Sequence, residues 1–113
     1  MTVRELFSPF IVEEKYADME LKTYLTTLVD LYNNNLENDA KIECEIDLYE
    51  HLKNLAYLGK IYIKVEFPDK EDFFLRHGER LYRLYRGLVS PDVREGAMFS
   101  MIYYVENLII PNL

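Results

Sequence analysis

Apolar residues recur at helical spacing along most of the chain. Over residues 12–32, Tyr16, Leu21, Leu25, Leu28 and Tyr32 fall near one face, with Met19, Tyr24 and Leu31 beside them. Glu13, Glu14, Glu20, Lys22 and Thr26 fall on the polar side. That period of about 3.6 predicts a first helix over 12–32. The run Asn33–Asn35 and the following "ENDA" predict its end.

Residues 40–67 carry two patterns at once. "KIECEID" (41–47) and "KIYIKVEF" (60–67) alternate apolar and polar, as short strands do. Wound as one helix, the same stretch gathers Leu48, Leu52, Leu55, Ala56, Gly59, Tyr62 and Ile63 on one side. Lys53, Lys60 and Lys64 then share the opposite side, with Tyr57 among them. The helical reading is preferred. "FPDKEDFF" (67–74) predicts the next start: Pro68 breaks what precedes, and Asp69, Glu71 and Asp72 suit the positive end of a helix. Gly87 fits its stop. A last helix is predicted from "SPDVRE" to about Leu108, with Ser90 as N-cap, Pro91 in the first turn and Pro111 as terminator. The expected fold is all-α, a compact four- to five-helix bundle forming one domain over 1–113. The alternative is α+β, with a short two-stranded element at 41–47 and 60–67.

The last helix adds an expectation about partners. Met98, Phe99, Met101, Ile102, Tyr103, Tyr104 and Val105 run around its circumference. A helix apolar on all sides is buried, and a chain of 113 residues has little of its own to cover every side. A subunit interface using Met98, Phe99, Ile102 and Tyr103 is one expectation; a central core helix is the other.

Charge changes the picture further. The chain is net −7, yet residues 1–50 hold 12 acids and 4 bases, and residues 51–113 hold 8 acids and 9 bases. The stretch "FFLRHGERLYRLYRGL" (73–88) has Arg76, Arg80, Arg83 and Arg86 against the single acid Glu79, with tyrosines between them. Wound as a helix, it puts Arg76, Arg80 and Arg83 in a tight row opposite Phe73, Phe74, Leu81, Leu84, Tyr85 and Leu88, and Arg86 flanks the row. Arginine's planar fork of donors matches phosphate and carboxylate alike. The row therefore fits either an RNA or DNA backbone or a solvated face salt-bridged to the acidic half. The lysines at 53, 60 and 64 would extend the first reading into a basic track.

No signature of catalysis accompanies this. One cysteine, Cys44, excludes an internal disulfide and a cysteine-based metal site. Its neighbours Glu43 and Glu45 disfavour a thiolate. His77 falls in the apolar face of its helix and is expected to be a buried, hydrogen-bonded structural residue. His51 lies near the apolar side of its own, and neither has the spacing of a zinc site. The glycines are isolated, so there is no phosphate-binding loop. No enzyme activity, cofactor or metal is expected. The opening "MTVRELFSPF" lacks the pattern of a secretory leader, and the most apolar stretch, 97–110, contains Glu106 and is too short to span a membrane. A cytoplasmic protein with no membrane association is the expectation.

The order of these features resembles the small helical subunit of type III CRISPR effector complexes, of the Csm kind. That family has an N-terminal helix ending in a pattern like "LVxxIYN", to which "TTLVDLYNN" (26–34) is similar. A middle helix mixing apolar and basic residues follows, similar to "LYEHLKNLAYLGKIYIKVE" (48–66), and "REGAMFSMIYYVENLII" (94–110) is similar to the family's closing helix. The resemblance implies a helical bundle stacked in copies inside a ribonucleoprotein, bound to other protein subunits and to single-stranded guide or target RNA, without catalysis. A different class stays open beside it: an acidic helical regulator or inhibitor, of the viral kind, that occupies a basic nucleic-acid groove on another protein.

Overall fold

Helix is the only extended regular structure among the described residues. The computed structural model describes residues 1–8, 13–35, 41–62 and 71–113. Within these lie α1 (Val3–Phe7), α2 (Glu14–Ala17), α3 (Leu21–Asn35), α4 (Lys41–Tyr62), α5 (Glu71–Leu88) and α6 (Arg94–Tyr104). The chain leaves α6 through a π-helical turn, Val105–Ile109, and a 3-10 turn, Ile110–Asn112. Among the described residues the fold is thus an all-α bundle of four longer helices with short one-turn pieces.

The helical reading of the ambiguous segment holds through Tyr62, and 41–47 belongs to α4 rather than to a strand. A lone two-stranded element is marginal in water, whereas a helix satisfies its backbone internally and here buries Leu48, Leu52, Leu55, Ala56 and Leu58. The rest of the alternating stretch, 63–67, lies outside the described residues, as does Lys64.

Two boundaries differ from expectation. The segment 12–32 is not one helix. It breaks at Asp18–Glu20, because Thr2 and Glu20 form an isolated antiparallel bridge. Val3 N–H donates to the Met19 carbonyl at 2.9 Å, and Leu21 N–H donates to the Met1 carbonyl at 2.9 Å. Those bonds take groups that a continuous helix would use. The N-terminal segment is held for this by α1, whose Val3, Leu6 and Phe7 are buried. The Thr2 hydroxyl oxygen accepts from Glu5 N–H at 3.2 Å, the cap that Thr-x-x-Glu favours. The second difference is at α6, which starts at Arg94 and not at Pro91. The Ser90 hydroxyl donates backward to the Arg86 carbonyl at 2.8 Å, so it does not cap, and 91–93 is a turn.

One hydrophobic cluster joins all these pieces. α4 and α5 share the largest helix–helix contact. They approach closely because Gly59 presents no side chain: a Cβ there would stand 2.7 Å from Leu81 Cβ and 2.8 Å from the Gly78 carbonyl oxygen. On the other flank of α5, Gly87 meets Ala97 of α6 in the same manner. α5 therefore packs against both α4 and α6, which also touch each other.

Candidate nucleic-acid interface

The amphipathic pattern of α5 decides its orientation. Phe73, Phe74, His77, Leu81, Leu84 and Leu88 are buried, and Arg76, Arg80, Arg83 and Arg86 are exposed. Arg83 donates to Glu79 Oε1 at 2.7 Å. The Arg86 guanidinium lies 5.6 Å from the centre of the Tyr82 ring and donates to its hydroxyl at 3.3 Å. Arg76 and Arg80 have no ion pair among the described residues.

Arg76, Arg80 and Arg83 do not form one continuous row with Lys53 and Lys60. At about 100° per residue, Arg76, Arg80 and Arg83 project roughly 160° away from Tyr85. Tyr85 faces α4, where Lys60 Nζ sits 5.1 Å from its ring centre. The arginine row falls on the same side of α5 as Gly87, which meets Ala97 of α6. Two basic surfaces thus flank α5, one on each side.

The α4 surface is as much aromatic as basic. Tyr49, Lys53, Tyr57 and Lys60 follow one another at steps of four, four and three residues, which aligns them along one helix face. Lys53 lies 5.3 Å from the Tyr49 ring centre and is paired with Glu50 at 2.9 Å. That hydrogen bond is the main cause raising its pKa. Lys60 reaches both Tyr57, at 6.0 Å, and Tyr85. The two tyrosine rings are 5.5 Å apart, tilted by 43°. Arg94, at the start of α6, adds a further cation: its guanidinium lies 4.2 Å from the Tyr49 ring centre and its Nε donates to the Leu88 carbonyl at 3.1 Å. Sequence reading singled out neither Tyr49 nor Arg94. The four- and three-residue steps of the tyrosine–lysine row were there to be read; the contact between Tyr49 and Arg94 bridges residues far apart in the chain.

The α6 residues expected at an interface fall into two pairs. Met98 and Ile102 are buried in the chain's own core, whereas Phe99 and Tyr103 are 59% and 60% exposed. Leu108, within the π turn, is also exposed.

His77 is buried, as its place in the pattern predicts. Its Nδ1 shares a hydrogen bond of 2.7 Å with the Tyr104 hydroxyl, and Phe73 packs edge-on at 5.2 Å between ring centres. Burial, helped by the Arg76 charge, lowers its pKa. The ring is thereby kept toward its neutral form and tied through Nδ1 to Tyr104, a structural joint between α5 and α6. His51 does the same between α4 and α3: its Nδ1 lies 2.8 Å from the Tyr24 hydroxyl, with the Tyr16 ring edge-on at 4.8 Å. Among the described residues no group of three His, Cys, Asp or Glu is placed to hold a metal ion. None of their helices is long and apolar enough to cross a membrane. The chain matches no protein-family model, no curated protein and no solved structure.

Proposed function

We propose that this chain is a non-catalytic helical subunit of a cytoplasmic ribonucleoprotein, of the type III CRISPR effector kind that its sequence resembles, and that it binds the backbone of single-stranded RNA. One observation carries the RNA reading. In a protein of net charge −7, α5 holds a solvent-facing row of arginines whose Arg76 and Arg80 have no ion pair among the described residues. Side chains at steps of four and three residues project in one line. A line of guanidinium groups suits successive phosphates and not a pocket that reads a base edge. Net negative charge keeps the affinity of one copy low, so copies stacked along one RNA would supply the avidity.

Phe99 and Tyr103 supply the contact to another protein subunit of the complex. Glu95 and Glu106 flank them on the same exposed face. A second copy docked through this face would bring like charges together, so the matching partner is a segment that is apolar with basic flanks.

RNA binding measured against salt tests the first part. Three neutralised phosphates give a slope of log K on log salt of about −2 for a single strand. Replacing Arg76, Arg80 and Arg83 together by alanine should flatten that slope, weaken binding to all sequences alike and leave folding nearly unchanged, since exposed charges contribute little to stability. A triple variant that binds RNA normally but loses a protein partner would end the RNA reading. The second reading would then take its place: an acidic regulator that fills a basic groove on another protein. The exposed acids Glu13, Glu14, Asp18 and Glu20 of the N-terminal elements favour that reading.

A further inference from the structure

We propose that Tyr57 is a stacking platform for a base of single-stranded RNA, with Lys60 and Lys53 holding the flanking phosphates. This rests on the RNA reading above but concerns a different surface, the α4 side of α5, which the arginine row does not reach.

The four residues of the α4 row are not equivalent. Tyr49 is already occupied, by the Arg94 guanidinium at 4.2 Å and Lys53 at 5.3 Å from its ring centre. Tyr57 is different: it is 42% exposed, although an exposed tyrosine in the middle of a long helix gains nothing from its own core. It is nevertheless held in place. Tyr85 of α5 packs against it at 5.5 Å, and Lys60 lies 6.0 Å from its ring centre. A ring fixed by its helix and by a second ring loses little freedom when a ligand covers it.

The charges beside it select the ligand. Lys53 lies four residues before Tyr57 and Lys60 three residues after, so their Cα atoms stand about 10 Å apart along the axis on either side of the tyrosine; the Lys53 ammonium leans back toward Tyr49 and Glu50 and would turn to meet a phosphate. Lys60 has no ion pair among the described residues, and Glu50 pairs with Lys53 only. A flat π surface between two cations fits a nucleotide strand, whose bases stack while its phosphates lie to either side. Stacking tolerates any base, so this surface would add affinity for single strands without sequence preference.

The chain has no tryptophan, so Tyr57→Trp places a single indole at the platform. We would titrate this variant at low salt with a short oligouridylate and with an abasic ribose-phosphate oligomer of the same length, following fluorescence. Oligouridylate should quench the indole, and the abasic oligomer should bind more weakly without quenching. Tyr57→Leu, followed by fluorescence anisotropy of labelled oligomers, should lower affinity for oligouridylate about 5- to 150-fold and leave the abasic oligomer unchanged. If oligouridylate binds the wild-type chain, yet neither quenches the indole nor loses affinity on Tyr57→Leu, the platform is refuted while backbone binding through the arginines stands. If neither oligomer binds the wild-type chain, both readings fall.

Discussion

At Gly59 an added methyl group would stand 2.7 Å from Leu81 Cβ; at Gly96 it would meet nothing within 4 Å. The two glycines mark two kinds of surface. Around Gly59, α4 and α5 approach until backbone and side chain touch, and the missing Cβ is what lets Leu52, Leu55 and Leu81 be fully buried. Gly96 shares the outer face of α6 with Phe99 and Tyr103, where the described residues provide no covering element. A glycine inside a helix costs about 1 kcal/mol relative to alanine. At the seam, close packing offsets that cost. On the outer face of α6 nothing among the described residues does, and two large rings stand exposed beside it. The comparison separates a surface the chain completes by itself from one that its described residues leave open.

Substitution at the seam should have the largest effect. Gly59→Ala should destabilise the chain by about 1–3 kcal/mol through overpacking, more than the gain in helix propensity, because the contacted atoms are a Cβ and a backbone carbonyl and move only if the helices separate. Urea unfolding measures this; an unchanged or raised midpoint would show that the seam is looser than its distances state.

Acid should act next, on the two polar joints of the completed core. Burial lowers the pKa of both His51 and His77. A folded-state value below the unfolded one, near 6.5, means that the unfolded chain takes up protons first. The resulting stability is present above about pH 6.5 and is lost as pH falls through that value toward the folded pKa. The two joints differ in their neighbours. At His51 the acids Glu13, Asp47 and Glu50 oppose the desolvation, with Lys15 acting the other way. At His77 the Arg76 charge adds to it. Replacing His77 by phenylalanine should therefore flatten the stability profile between pH 7 and 5 more than the same change at His51. Equal flattening would show that burial alone sets both.

The smallest effect should come from the open face, with opposite sign. Gly96→Ala should stabilise the isolated chain by up to about 1 kcal/mol, read as a higher thermal midpoint. A loss instead would show that the outer face of α6 is packed against another surface in solution.

Several features were legible because they depend on local spacing. The amphipathic pattern of α5 placed His77 inside and the arginines outside, since a period of 3.6 fixes which side chains share a face. The leucines of α4 outweighed the alternation in 41–47 for the same reason. The termini of the helices were harder to read. Ser90 has the chemistry of an N-cap, but its hydroxyl turns back to Arg86. The pattern in 12–32 is continuous, and only the strand-like pairing of the N-terminal residues with Met19–Leu21 breaks it.

The sequence by itself determined that the chain is helical, that its charge is split between an acidic half and an arginine-bearing helix, and that the histidines lie toward the core. These follow from residue types and their period, which act over one or two turns. Tertiary structure alone decided which helix lies on which flank. It separated Lys53 and Lys60 from the arginine row, because α4 meets α5 on the side of Tyr85 and not along that row. It joined His51 to Tyr24 and His77 to Tyr104 across helices. On α6 it divided four apolar residues into two that complete the core and two that remain outside. Each of these depends on contacts between segments distant in the chain, and a helical period fixes a face without fixing what that face meets.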